Sequence, residues 1–376
     1  MRFLKKNYLT ILIFILFFLL FSVYKDFFNN KKIVFPSNFL VQFYSPWSTQ
    51  IFPKWEQGIP HKPIGVDQFR FFYPSRVFSN ESFQKLELPL WNPYIFSGNP
   101  HIADFQSAVF YPLSMLYLLI PMMSAWSLLI IVEPILAALG MYLYLRRIAL
   151  SKAVCLFGAI AFSLSGFMIV WSQENMVVPH AALWMPYVLW SFESFLQSRE
   201  FRYFFAGIAF LALSFLAGFF QVSFYIFIFT LIYALARIFV SKTHTVRNVL
   251  FVVGMLILSL LLCGIQLVPS MEAFFQSARP ASDAWYLFDS YLLPITHLVN
   301  IYVPDVFGSP GAYNFFGRGF YHETVVYIGV IPLIFAIFSF KNGRNNFFST
   351  FFLSAALISF FLTIQSPATT FFYKLE

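Results

Sequence analysis

Long apolar runs separated by short polar stretches fill most of the chain. A helix needs about 20 residues to cross the hydrocarbon core of a bilayer, and most of these runs approach that length. We therefore predict an all-α polytopic integral membrane protein with about nine transmembrane helices. The predicted spans are residues 9–24, 124–145, 153–171, 178–195, 203–219, 222–239, 249–268, 324–340 and 347–364.

Two long polar segments interrupt this series, and both are rich in Pro, Gly, Tyr and Trp. Neither shows the alternation of a strand sandwich, so we expect loops with short interfacial helices on the membrane surface. Within the first segment, residues 108–120 form a short apolar run containing Pro112, which favours an interfacial or re-entrant helix. Five segments follow in order: a signal-anchor helix, a first outer loop, a membrane core, a second outer loop and C-terminal helices that we expect to be truncated. They span residues 1–24, 25–121, 124–268, 269–323 and 324–376.

The lysines and arginines predict the orientation of the chain. With the N-terminus in the cytoplasm, every cytoplasmic loop carries several basic residues, and Glu193 and Glu200 are the only acids there. The outer loops receive most of the carboxylates. We therefore expect a multi-pass protein of the bacterial cytoplasmic membrane whose active face is extracytoplasmic.

Composition agrees with a membrane protein. The chain of 376 residues is 59% hydrophobic and only 11% charged, whereas soluble domains average about 25% charged residues. The net charge of +8 does not indicate nucleic acid, because the basic residues lie in short loops where they orient helices. Cys155 and Cys263 lie inside apolar runs and predict neither a disulfide framework nor a metal site.

Asp67 is the first candidate for chemistry. It lies among aromatic residues near the predicted membrane surface, in the sequence GVDQFRFFYP. Partial desolvation there would raise its pKa and suit it to act as a general base. An ordinary solvated loop carboxylate is the alternative.

Asp104 is the second candidate. It follows the turns around Asn92-Pro93 and Asn99-Pro100 and precedes a short helical run. It either caps that helix or takes part in function. Two outer carboxylates also suit a divalent cation, although the spacing does not require one.

Four further polar residues lie at the predicted outer rim: Arg279, Arg318, His322 and Glu323. Arginine suits bidentate recognition of phosphate. The alternative is that the arginines reach toward lipid headgroups and that His322 anchors the chain at the interface. Deep in a predicted span, Glu133 precedes Pro134, and we expect it to pair with His180 or with a backbone group freed by the proline.

Motifs of several enzyme classes are missing from the sequence. It contains no Walker A loop, no GxGxxG, no HExxH and no GxSxG. The chain is therefore not predicted to be an ATP-driven pump, a zinc protease or a serine hydrolase.

An ordered set of short motifs resembles the bacterial YfhO-type membrane proteins and covers most of the chain after the first helix. No single motif is specific, but their order is. The motifs are Asp67 with Tyr73-Pro74, Leu90-Trp91-Asn92-Pro93-Tyr94, Gly98-Asn99-Pro100 with Asp104 and Gln106, Tyr111-Pro112, residues 140–146, 163–167, 184–186, 266–270, 277–279, and Glu323 with 327–333.

The resemblance implies a GT-C-like glycosyltransferase, which transfers a sugar from a polyprenyl-phosphate carrier to a cell-envelope glycan or polymer acceptor with inversion. It implies Asp67 as the catalytic base, Asp104 as a supporting carboxylate and Arg279 as a ligand of the carrier phosphate. We expect the other rim residues, together with Trp91 and Asn92, to bind substrate. A divalent cation is the one cofactor that we consider, and the expected partners include membrane lipids but not nucleic acid.

Two other functions are compatible with the sequence. A transporter or flippase for lipid-linked glycans would use the same apolar groove and outer loops, but it often shows internal repeats and broken helices. We find no convincing repeat. A non-catalytic subunit of an envelope assembly predicts that neutralising Asp67 affects no transfer reaction.

Overall fold

A computed structural model describes residues 8–29, 32–37, 44–49, 67–241, 246–277, 292–312, 314–342, 346–367, 369 and 371. Helices form nearly all of its regular structure. They are α1 (Tyr8–Val23), α2 (Lys25–Phe28), α3 (Tyr73–Gln84), α4 (Leu116–Leu119), α5 (Met122–Arg147), α6 (Lys152–Ser163), α7 (Gly166–Glu174), α8 (Val177–Ala182), α9 (Met185–Ser198), α10 (Arg202–Leu216), α11 (Phe220–Val240), α12 (Val246–Leu262), α13 (Gly264–Gln276), α14 (Tyr321–Thr324), α15 (Val330–Asn342) and α16 (Phe347–Thr363).

Short elements connect these helices. A two-residue hairpin pairs β1 (Trp91–Asn92) with β2 (Asn99–Pro100) in antiparallel register. A π-helical turn at Gln68–Phe72 leads directly into α3. Single 3₁₀ turns occupy Trp47–Thr49, His101–Ala103, Phe105–Ser107, Pro112–Met115, Ile295–Ile301 and Pro310–Ala312.

The prediction of an all-α membrane protein is confirmed at this level. Among the described residues, three helical stretches are long and apolar enough to cross a bilayer, namely Met122–Arg147, Lys152–Glu174 and Phe220–Val240. A bent pair, α12 with α13, makes a possible fourth. Other apolar helices are shorter, at 10–17 residues. The count of nine spans therefore stays a prediction.

Three predicted spans are each divided between two helices. The run 153–171 gives α6 and α7, which together still form one apolar stretch. The run 178–195 divides into α8 and α9, and Pro186 stands in the first turn of α9, where a missing N–H costs nothing. The run 249–268 ends as α12 at Leu262, and α13 leaves at an angle of 71°. Because α13 continues to Gln276, helix replaces the start of the predicted second outer loop.

Two compact units divide the chain. The first comprises Met1–Phe35, Asp67–Leu164 and Trp171–Ser277. In it α5 packs against α6 and α9, α9 packs against α10, and α1 lies against α5 and α6. Leu12 and Leu16 of α1 fill a buried cluster with Ala138, Cys155 and Ala159. Cys155 and Cys263 are both buried and unpaired, as the apolar surroundings in the sequence predict.

A buried ion pair links two helices of this unit. Arg237 Nε of α11 lies 2.9 Å from Glu193 Oε1 of α9, whose side chain is 0% exposed. Tyr233 donates a hydrogen bond of 2.7 Å to the same oxygen, and its own hydroxyl lies 3.0 Å from that of Tyr144. A carboxylate buried as deeply as that of Glu193 is stable only while its cationic partner, Arg237, is present.

The second unit comprises Pro36–Val66, Ser165–Val170 and Ala278–Glu376. Its described part holds α14, α15 and α16 with the 3₁₀ helix Ile295–Ile301. Leu293, just before that 3₁₀ helix, forms an isolated parallel β-bridge with Ile364, which directly follows α16.

Candidate functional site

One face of the helix that starts beside Asp67 is buried, and most of that face is polar. Its buried residues recur every three or four positions, as expected for one side of a helix. They are Gln68, Phe69, Phe72, Ser75, Arg76, Ser79 and Ser82. A helix that packs on a protein interior normally presents apolar side chains. Three serines and an arginine in those positions therefore mark a polar site.

Arg76 is the centre of this site. Only 4% of its surface is exposed, and its Nη1 atom has no hydrogen-bond partner. The hydroxyl of Tyr117 interacts with the guanidinium, and the charge of Asp104 acts on it from nearby. Within the described part of the chain no carboxylate lies within ion-pair distance of Arg76. Burial accordingly lowers its pKa.

Asp104 lies at the start of the 3₁₀ turn Phe105–Ser107. Its Oδ1 atom accepts a hydrogen bond of 3.1 Å from the backbone N–H of Gln106, so the predicted capping role is confirmed. Desolvation raises its pKa to about 6, against the opposing effects of that hydrogen bond and of Arg76. The carboxyl therefore exchanges its proton close to neutral pH, as a general base must.

His101 connects the Asp104 segment to α3. Its Nε2 atom lies 2.8 Å from Ser79 Oγ, and its ring packs edge-on against Phe78. The Ser79 hydroxyl gives its hydrogen to the carbonyl of Ser75, so the imidazole N–H is the donor to Ser79. Burial and the charge of Arg76 lower the pKa of His101 to about 4, which keeps the ring neutral at pH 7.

A small cavity opens beside these residues. We call it the Arg76 cavity. Its polar lining consists of Arg76, Ser79, Asn80, Ser107, Ser114 and Tyr117. Its apolar lining consists of Phe83, Ala108, Val109, Met115 and Leu118. The cavity lining thus combines a charged guanidinium and hydroxyl groups with hydrocarbon side chains.

Asp67 is exposed, so the expected desolvation of its carboxylate is wrong. It stands immediately before the π-helical turn that leads into α3. Nine residues separate it from Arg76, which corresponds to about 13 Å along a helix axis. An exposed carboxylate at this distance is accessible to an acceptor from solution but does not line the Arg76 cavity. Its role as a base stays a prediction.

Trp91 and Asn92 shape the hairpin. Asn92 is 3% exposed, and its Oδ1 atom accepts a hydrogen bond of 2.9 Å from the N–H of Tyr94. Trp91 is 57% exposed and lies against Gly98, whose φ of +117° only glycine adopts readily. Of this pair, only the Trp91 ring offers a free surface for a ligand.

Three of the rim candidates, Arg318, His322 and Glu323, lie in the second unit. The fourth, Arg279, lies outside the described residues. Arg318 and Glu323 line one cavity with an empty volume of about 690 Å³. Arg318 Nη1 donates to Gln365 Oε1 at 3.2 Å, and His322 stacks on Phe320. Although much of the Glu323 side chain is exposed, desolvation of its carboxyl raises its pKa to about 7. Arg318 and Glu323 thus line the same cavity, and substrate binding by the four rim residues stays a prediction.

Glu133 does not pair as expected. It is fully buried in α5, and neither carboxylate oxygen has a hydrogen-bond partner within the described ranges. His180 Nδ1 instead lies 3.1 Å from the hydroxyl of Tyr111, which also accepts a hydrogen bond from Trp184 Nε1. The proposed pairing with His180 or with a freed backbone group is therefore wrong.

Arg76, Ser79 and His101 are site residues that were not predicted from the sequence. The available signal was the recurrence of Ser75, Ser79 and Ser82 around Arg76 at helical spacing, which places a charge on the face that a helix normally buries. For metals, no three His, Cys, Asp or Glu side chains come together in the described structure. The divalent cation stays a prediction.

Comparison with known proteins gives one match. The family model described as bacterial membrane protein YfhO matches residues 105–374. No curated protein and no solved structure matches the chain. The matched region begins immediately after Asp104, so it contributes Ser107, Ser114 and Tyr117 to the cavity, whereas Asp67 and Arg76 precede it.

Proposed function

Because the chain belongs to the YfhO family of bacterial membrane proteins, we propose that it is a GT-C-like inverting glycosyltransferase. It would transfer a sugar from a polyprenyl-phosphate carrier to a cell-envelope glycan or polymer at the outer face of the cytoplasmic membrane. The observation that carries this proposal is that a largely buried carboxyl, Asp104, and a buried guanidinium, Arg76, are close enough for their charges to interact. Glycosyl transfer with inversion needs a base for the acceptor and a cation for the leaving phosphate.

In the proposed reaction a carboxylate removes the proton of an acceptor hydroxyl. The hydroxyl oxygen forms a bond to the anomeric carbon while the bond from that carbon to the phosphate oxygen breaks. The electron pair leaves with the polyprenyl phosphate, whose charge a guanidinium stabilises. Because the sugar is already activated, the reaction consumes no nucleotide.

Two carboxylates compete for the role of base. Asp67 has the role that the family resemblance implies, and its exposure suits it to meet an acceptor from solution. Asp104 is supported by its pKa of about 6, which is closer to neutral pH than that of an ordinary carboxyl. Arg279 remains a candidate for the carrier phosphate. Trp91, Asn92, Arg318, His322 and Glu323 remain candidates for substrate binding.

The decisive experiment is a transfer assay in proteoliposomes with radiolabelled polyprenyl-phosphate sugars and crude envelope acceptor. Asp67→Asn and Asp104→Asn are compared with Glu81→Gln, which neutralises an exposed acid on α3. We expect transfer to fall at least about a hundredfold for the variant that lacks the base and to be unchanged for Glu81→Gln. Full transfer by both aspartate variants would reject the catalytic mechanism.

A transporter of lipid-linked glycans is the second candidate, and the bent pair α12–α13 favours it. Helices broken within the membrane are common in transporters, and this pair turns by 71°. Movement of a labelled lipid-linked sugar between leaflets, without transfer to any acceptor, would support it. A protein that neither transfers nor moves the sugar would fit the third candidate, a non-catalytic assembly subunit.

A further inference from the structure

The buried charge of Arg76 is only partly compensated within the described protein. A guanidinium removed from water costs several kcal/mol unless an anion and hydrogen bonds replace its hydration. Asp104 is the acid whose charge acts on Arg76, yet burial raises the pKa of Asp104. A tight ion pair with Arg76 would lower that pKa instead. Since no carboxylate of the described residues lies within ion-pair distance of the guanidinium, the pair is loose and leaves positive charge available at the cavity.

Two residues that line the Arg76 cavity have unused hydrogen-bonding capacity, Arg76 at Nη1 and Asn80 at Oδ1. Ser79, Ser107 and Ser114 each donate to a nearby carbonyl group, so their hydrogens are already used. Nη1 of Arg76 lacks a partner. A cationic ligand is excluded by the guanidinium, whereas a phosphate presents several oxygens that match its planar set of donors.

The apolar part of the lining indicates what else the ligand carries. Phe83, Val109, Met115 and Leu118 belong to it, and Met115 is 54% exposed at the rim. Inorganic phosphate would leave this apolar surface uncovered. A hydrocarbon chain attached to the phosphate would bury it.

We propose that the Arg76 cavity binds the phosphate group of a prenyl or alkyl phosphate monoester, with the guanidinium on the phosphate oxygens and the hydrocarbon chain along the Met115 side. This inference rests on the proposed function insofar as such a phosphate is the leaving group of the transfer. It assigns phosphate recognition to Arg76 in place of Arg279. In the reaction, the positive charge of Arg76 would stabilise the negative charge that develops on the departing phosphate.

The test measures ligand binding to the full chain in detergent, with tryptophan fluorescence as readout. The probes are farnesyl phosphate, inorganic phosphate and the uncharged alcohol farnesol. We expect saturable binding of farnesyl phosphate that is at least about tenfold tighter than that of inorganic phosphate or farnesol. Equal binding of farnesol would overturn the role of the charge. If inorganic phosphate bound equally tightly, the apolar lining of the cavity would have no role in binding.

Four variants locate the site. Arg76→Gln should weaken binding of farnesyl phosphate at least about tenfold, and Lys85→Gln, at an exposed position just after α3, should not. Because Arg76→Gln changes a buried residue, the exposed rim position gives an independent pair. Met115→Glu should weaken binding, and Met115→Lys should preserve or strengthen it. Unchanged binding in both Arg76→Gln and Met115→Glu would place the ligand elsewhere.

The outcome is separable from the proposed function, because farnesyl phosphate carries no sugar. Binding that depends on Arg76, in a protein that transfers no sugar, would leave the phosphate site in place and reject the transferase. Transfer that survives Arg76→Gln at an unchanged rate would reject the site and leave the transferase.

Discussion

The carboxyl of Asp104 is partly buried, and its pKa of about 6 lies above the ordinary value of 3.8. The folded protein therefore binds a proton between these two values that the unfolded chain does not, and stability gained from this group rises as pH falls. We predict that the melting temperature of the wild type rises relative to that of Asp104→Asn between pH 7.5 and 5. Thermal unfolding of both proteins in detergent measures the difference.

The comparison with Asp104→Asn removes a competing contribution. His101 has a lowered pKa of about 4, so it takes stability away as the pH falls below about 6.5. That loss occurs equally in both proteins. A difference between them that stays constant with pH would contradict the altered titration of Asp104.

The cap of Asp104 is separable from its charge. Asn can accept the same hydrogen bond from Gln106, whereas Ala cannot. We therefore expect Asp104→Ala to lose about 1 kcal/mol more stability than Asp104→Asn. Chemical unfolding in detergent at pH 7.5 compares the two, and equal stability would show that the cap contributes little.

At the scale of single elements, the hairpin depends on one glycine. A Cβ atom at Gly98 would lie 2.5 Å from the Trp91 ring, in a backbone conformation with φ of +117°. Gly98→Ala should therefore cost about 1–3 kcal/mol and change the fluorescence of Trp91. Gly264 is the control, because a Cβ atom there meets nothing within 4 Å. Equal loss in both variants would contradict the steric argument.

The ion pair between α9 and α11 gives a larger expected effect. Arg237→Ala leaves the fully buried carboxylate of Glu193 without its cation, which typically costs about 3–5 kcal/mol. Arg202→Ala removes an exposed pair with Glu200, which is worth about 0–1 kcal/mol. Thermal stability should therefore fall clearly for the first variant and little for the second. The reverse order would contradict a larger contribution from the buried ion pair.

The apolar runs predicted where helices form, but they did not predict where helices break. Hydropathy averages over a window, so the runs 178–195 and 249–268 appeared continuous even though Pro186 starts a new helix and the second run turns by 71°. The buried polar face of α3 was missed for the same reason, since its mean composition resembles a loop. Asp104 was found because a turn and a cap leave a local signature, whereas Arg76 is recognised only once packing shows which face is covered.

For the whole molecule, the distribution of basic residues predicts that α3 and the hairpin face outward and that the start of α10 faces the cytoplasm. Single cysteines introduced as Glu81→Cys and Arg202→Cys test this, since both positions are exposed. The native thiols are buried and should react slowly. A membrane-impermeant maleimide added to intact cells should label Glu81→Cys only, and labelling of Arg202→Cys would invert the topology.

Two buried glutamines form hydrogen bonds between the segment that carries Arg76 and Asp104 and later parts of the chain. Gln68 donates to the carbonyl of Gln173, and Gln266 of α13 donates to the carbonyl of Ile102 at 2.8 Å. Each bond joins two residues that are more than a hundred positions apart in the sequence. For protein engineering, residues 67–107 therefore do not form an interchangeable cassette. A chimaera that receives this stretch must also receive the backbone around Gln173 and the amide of Gln266, or it will carry orphaned hydrogen-bonding groups into its new host.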